Sequence, residues 1–157
     1  MEFEGRIQAL PNWSIGANYS YTEAKFRSGV LPGDVSTRTN LNIAGKTVPL
    51  VPHHKINLDM QWIPVRNSTV TLSATYVSKQ FVDNDEPNDL GVTIPAYTVV
   101  DFKVAQKFGA WQAALAVNNL FNEKYYNYAV RSQFTSDRYA VYPLPGRTAI
   151  ASLRYRF

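Results

Sequence analysis

The sequence predicts an all-β fold: an antiparallel, up-and-down transmembrane β-barrel segment of about seven strands. Three observations carry this. Period-two alternation of apolar and polar residues runs between nine prolines, with little sign of a helix. The connections between the alternating segments are short and long in turn. The three tryptophans all fall beside short connections, at one end of the predicted sheet.

The strands are read at 2–9, 13–26, 53–63, 69–81, 96–107, 111–129 and 146–157. Proline cannot donate to a sheet ladder, so Pro11, Pro52, Pro64, Pro95 and Pro145 mark strand ends and turns. Short turns sit at "LPNW", "IPVRNS" and "KFGAW", and long polar loops cover 27–52, 82–95 and 130–145. Tight turns on one side and long loops on the other are what a membrane barrel shows.

Successive strand residues face opposite sides. The second strand sets Trp13, Ile15, Ala17, Tyr19 and Tyr21 against Ser14, Gly16, Asn18, Ser20 and Thr22. The third sets Ile56, Leu58, Met60 and Trp62 against Asn57, Asp59 and Gln61; the fourth, Val70, Leu72, Ala74 and Tyr76 against Thr71, Ser73 and Thr75. The fifth opposes Val100, Phe102 and Val104 to Asp101, Lys103 and Ala105, and the sixth opposes Trp111, Ala113, Leu115 and Val117 to Gln112, Ala114 and Ala116. The last opposes Tyr155, Leu153 and Ala151 to Arg156, Arg154 and Ser152. The apolar face carries no charge across these bands.

A soluble core tolerates the same alternation, so the aromatic rims decide. Trp13, Trp62 and Trp111, with Tyr155 and Phe157, mark one rim; Tyr21 and Tyr76 mark the other. Amphipathic rings collect where a bilayer meets water. Eight residues separate Trp13 from Tyr21, and at ~3.3 Å per residue and ~40° tilt they climb roughly 20 Å, against an apolar band of about 25 Å.

Composition narrows the remaining chemistry. Cysteine is absent, which excludes disulfides and thiolate sites. The net charge is +4, but Lys and Arg are scattered, so nucleic acid is not an expected partner. No run approaches the ~18 apolar residues of a membrane helix, and the opening "MEFEGRIQ" does not read as a signal peptide. His53 and His54 are adjacent near a strand start and do not converge on one metal. "DNDEPNDLG" clusters Asp83, Asp85, Glu86 and Asp89 but lacks the glycine and glutamate of an EF-hand loop. There is no Gly-rich phosphate loop, G-x-S-x-G or S-x-x-K. No catalytic residue, metal or cofactor is assigned.

The run "WQAALAVNNLFNEKYYNYAV", followed by "YPLPGRTAIASLRYRF", resembles the C-terminal end of TonB-dependent outer-membrane receptors. In that family an Asn-Leu-Phe-(Asp/Asn)-x-x-Tyr stretch lies on the penultimate strand; Asn119, Leu120, Phe121, Asn122 and Tyr125 match it, and Phe157 matches the terminal aromatic. "VPHHKINL" and "IPAYTVVDFKV" are similar to the family's strand openings.

The resemblance implies the C-terminal third of a 22-stranded barrel, residues 1–157 forming part of the barrel domain with plug and signal peptide absent. Whether this reflects a truncated gene, a split protein or an expressed fragment stays open. It implies import of a scarce large ligand (ferric siderophore, haem or cobalamin) with TonB-coupled energy, in the bacterial outer membrane. The implied partners are lipid, the remaining strands and plug, the barrel-assembly machinery and the TonB complex. Leu153, Tyr155 and Phe157 would form the assembly signal. Asn57, Asp59, Asp101, Lys103, Gln112, Arg154 and Arg156 would face plug or lumen. In the outer loops, Arg131, Arg138, Tyr139 and Tyr142 would meet an anionic, aromatic ligand. A small porin-like or structural barrel completed by self-association, and a soluble β-sandwich binding module, stand as alternatives.

Overall fold

The computed structural model describes residues 1–32, 40–135 and 138–157. Seven strands build one sheet: β1 (Glu2–Leu10), β2 (Trp13–Tyr21), β5 (His54–Trp62), β6 (Ser68–Val77), β9 (Tyr97–Phe108), β10 (Trp111–Asn118) and β13 (Thr148–Tyr155). Three short hairpins lie between them in the chain: β3 (Val30–Leu31) with β4 (Leu41–Asn42), β7 (Gln80–Phe81) with β8 (Thr93–Ile94), and β11 (Tyr126–Arg131) with β12 (Tyr139–Pro143). The sheet order is β1-β2-β5-β6-β9-β10-β13, every neighbouring pair antiparallel, so the chain meanders without a crossover.

The register turns seven separate alternations into two continuous faces. Ile7, Ile15, Met60, Leu72, Phe102 and Val117 follow one another across six strands, ending at Ala149 on β13. No second layer covers this face among the described residues: Phe3 is 63% exposed and Leu153 65%. A soluble sandwich needs a second sheet on its apolar face, so the sandwich alternative fails on this geometry. The buried apolar core lies elsewhere. Val82, Ile94 and Ala129 are fully enclosed, with Leu50, Leu90 and Tyr126 packed around them, all beyond the long-loop end of the sheet.

Three strands are shorter than the alternation predicts. The 13–26 strand stops at Tyr21, and only an isolated Lys25–Thr47 bridge continues it. The 69–81 strand stops at Val77, where the Ser78 hydroxyl accepts the His54 N–H at 3.0 Å and turns the chain into β7. The 111–129 strand divides at Asn118. Asn119 and Asn122 adopt left-handed backbone (φ 52° and 57°), which asparagine tolerates better than most residues. The Asn-Leu-Phe stretch is therefore a turn beyond the strand and not part of it. The Asp101 carboxylate accepts the Asn119 N–H at 2.8 Å, and the Asn119 side chain accepts the Glu123 N–H and donates to its carbonyl. The long loops thus begin earlier than predicted and hold hairpins; residues 33–39 and 136–137 of those loops lie outside the described residues.

Candidate functional site

Two surfaces qualify: the polar face of the sheet and the cap made by the long loops. On the polar face the structure joins residues that are far apart in sequence. Asn18, Asn57 and Thr75 form a ladder across β2, β5 and β6, the Asn57 amide donating to Asn18 at 2.8 Å and the Thr75 hydroxyl to Asn57 at 3.0 Å. One row along, Arg6 reaches over β2 to Asp59 on β5, with Nη2 at 2.9 and 2.7 Å from the two carboxylate oxygens. The register places Gly16 between them. A Cβ there would collide with the Asp59 carboxylate and lie 2.8 Å from Arg6 Nη2, so only glycine leaves the bridge room.

The predicted inner-wall residues divide accordingly. Asn57, Asp59 and Asp101 are engaged in the wall's own bonds. Lys103, Arg154 and Arg156 are exposed, and Gln112 is half-buried between Lys107 and Arg154 in the register. Sequence reasoning missed Arg6 and the role of Gly16; an Arg and an Asp on the polar face of strands two apart was the available signal.

The cap is held from several sides. Asp83 pairs with Val130 as an isolated parallel bridge, with backbone bonds Asp83 N–H to Ala129 (2.8 Å) and Arg131 N–H to Asp83 (2.8 Å). From the first long loop, Thr47 and Asn88 exchange two hydrogen bonds, and the Leu50 N–H donates to Phe81 at 3.0 Å. The Asp85 side chain is fully buried; one oxygen accepts the Asp89 and Leu90 N–H groups and Arg131 Nη1 at 3.2 Å, and Oδ2 has no partner among the described residues. Burial raises the Asp85 carboxyl above the ordinary carboxylate range, partly opposed by those bonds and by Arg131. Arg131 also pairs with Asp89. The Tyr128 hydroxyl donates to Asp83 at 2.7 Å, and that bond, with burial, raises the hydroxyl's pKa above the ordinary tyrosine value.

Of the predicted ligand residues, Arg131 is three-quarters or more enclosed and committed to two acids of the neighbouring loop. Tyr139 and Tyr142 are exposed on β12, and Tyr142 packs on Tyr128 with ring centres 5.2 Å apart. Arg138 is exposed at the start of that strand. The four acids of 83–89 form no metal-holding group among the described residues: Asp85 and Asp89 share Arg131 Nη1, and Asp83 takes the Tyr128 hydroxyl. His54 hydrogen-bonds the Tyr19 hydroxyl at 2.9 Å, while Tyr21 stands between the His53 and His54 rings at 6.3 and 5.2 Å.

The aromatic residues at the strand ends fall into two groups in the register. Trp13 and Trp62 are register partners with rings 5.5 Å apart, and Trp111 and Tyr155 are partners at 4.8 Å; Phe157 meets Tyr155 edge-on at 5.1 Å. All lie at the short-turn end. At the long-loop end, Tyr21 pairs with His54, and Tyr76 with Ile56 and Thr98. Leu153 follows Tyr155 on the apolar face.

The family described as "TonB dependent receptor-like, beta-barrel" matches residues 1–120. The ferrioxamine receptor of Yersinia enterocolitica is 30% identical over 132 residues, covering 80% of this chain and 17% of that protein. Among solved structures, the siderophore receptor PiuA of Acinetobacter baumannii superposes with a TM-score of 0.78 at 20% identity, over 98% of this chain and 21% of that one. The ferric-catecholate import receptor Fiu of E. coli K12, in its closed form, gives 0.74 at 19% identity, over 99% and 20%. The chain spans about a fifth of the length of these relatives.

Proposed function

The chain belongs to the TonB-dependent receptor family through its β-barrel, and from that premise we propose that it supplies seven adjacent wall strands and three outer loops of a receptor importing a ferric siderophore. One observation carries this reading: a charge-free apolar face bordered at both ends by aromatic rims, with all long loops beyond one rim. Such a face belongs in lipid. The edges of β1 and β13 would leave backbone groups unpaired there, at several kcal/mol each, so further strands complete the barrel.

The ligand is taken at the cap, where Tyr139 and Tyr142 offer exposed rings and Arg138 a cation for an anionic chelate. Energy reaches the receptor from the inner membrane through TonB, and a plug occupies the lumen. The barrel-assembly machinery inserts the barrel, reading Leu153, Tyr155 and Phe157. The test is uptake of labelled ferric hydroxamate and ferric catecholate by iron-starved cells with and without the gene. Uptake that needs both the gene and the proton-motive force supports the reading; gene-independent uptake of every chelate overturns it.

A further inference from the structure

Charge is segregated along the polar face. Toward the long-loop end stand Glu2, Glu4 and Asp101 with Lys55, and the Arg6–Asp59 pair and Lys103 lie between the two ends. At the short-turn end of β9, β10 and β13 stand Lys107, Arg154 and Arg156, with no acid among them. Lys107 and Arg154 flank Gln112 in one cross-strand row, and Arg156 follows Arg154 by two residues on the same face. Together with the turn at Gly109 and Ala110 they line a concavity of about 520 Å³. Arg6, Lys25 and Arg131 each pair with a carboxylate, whereas these three cations take part in no ion pair among the described residues.

We propose that this concavity binds an extended acidic peptide segment at the short-turn mouth of the inner wall, a site that rests on the barrel reading above. The spacing favours a peptide over a single small anion. Lys107 and Arg154 stand two strand steps apart, about 10 Å, and Arg154 and Arg156 about 6.6 Å. The Arg154–Arg156 interval matches carboxylates at alternate positions of an extended chain, which repeat at ~6.6 Å, and Lys107 stands to one side of that line. Gln112, between the cations, supplies both a donor and an acceptor for a peptide backbone. Trp111, Tyr155 and Phe157 border the same concavity from the lipid side, so a lipid headgroup is the competing occupant that the test must separate.

The test uses the intact protein purified from outer membranes, first checked for a folded barrel by its heat-modifiable gel mobility. A labelled peptide with glutamate at three alternate positions is titrated against it at low salt, beside the same peptide carrying glutamine. Binding of the acidic peptide alone is expected, weakened at least about tenfold by the triple change Lys107→Glu, Arg154→Glu, Arg156→Glu and by high salt. Equal binding of the glutamine peptide, or unchanged affinity in the triple variant, overturns the site. So does displacement of the peptide by phosphatidylglycerol vesicles at equal charge, which would assign the cations to lipid. A folded barrel that ignores the peptide sinks this inference alone; a protein that never shows barrel mobility sinks the barrel reading beneath it.

Discussion

A buried carboxylate with one good cation partner is where single substitutions should be felt most. Replacing Arg131 with alanine leaves Asp85 enclosed and uncompensated, and breaking such a pair costs about 3 kcal/mol. The expected outcome is lost amide-exchange protection at Val82 and Ile94, recovered when Asp85→Asn is added, because the double variant buries no charge. The pH dependence has an unusual sign. Since burial holds the Asp85 carboxyl above its unfolded value, its ionised form costs the cap stability. This group's contribution is fully present below the unfolded value and is lost as pH rises through the raised folded value. Exchange protection at Val82, corrected for intrinsic rate, should therefore fall across that window in the wild type and stay flat in Asp85→Asn. Gly16 offers a second residue-level test. Gly16→Ala should destabilise by at most about 1 kcal/mol, because it displaces only the exposed ends of the Arg6–Asp59 pair, measured by urea unfolding, and by less when Asp59→Ala removes the atoms it meets.

At the scale of elements, the wall was legible and the cap was not, for one physical reason. A strand between lipid and lumen must alternate at every residue, so β1, β5, β9 and β13 appear in the sequence almost to their ends. The boundaries missed at Tyr21, Val77 and Asn118 are places where alternation continues while side chains redirect the backbone: Ser78 bonding His54, and Asp101 capping Asn119. The cap depends on contacts more than 40 residues apart, such as Arg131 to Asp85 and Thr47 to Asn88, which no local period encodes. Arg131 was read as a ligand-facing cation, whereas the fold commits it to Asp85 and Asp89, partners that no local pattern reveals. The alternation itself is testable. Leu115→Arg, near the middle of the apolar band, should cost about 2–4 kcal/mol of folding into vesicles. Ala114→Arg, one residue away on the polar face, should cost far less. Equal costs would mean that neither face meets lipid.

At the scale of the whole molecule, the aromatic rims can be used to derive how the sheet sits in a bilayer. Follow the register from Trp62: its row passes through Val70 and Val104 to Leu115, so Trp111 lies four residues below that row, three strands away. Three strand steps are about 14 Å across, and four residues about 13 Å along. The two indoles share one height if the strands tilt by about 40°. The other rim gives an independent estimate. The row of Tyr21 and His54 would reach Ser78 on β6, two residues beyond Tyr76 and two strands away from Tyr21, which again levels the rings at roughly 35° and in the same sense. Both values fall within the ~35–45° tilt of membrane barrels. An untilted sheet would scatter the tryptophans over about 13 Å of depth. Polarised infrared spectra of the protein in oriented bilayers should therefore report a strand tilt near 40°. Quenching by lipids brominated at different depths should place Trp13, Trp62 and Trp111 within a few ångströms of one another at a single interface. A tilt below about 20°, or one tryptophan quenched at the bilayer centre, would break the link between register and rim on which the membrane reading depends.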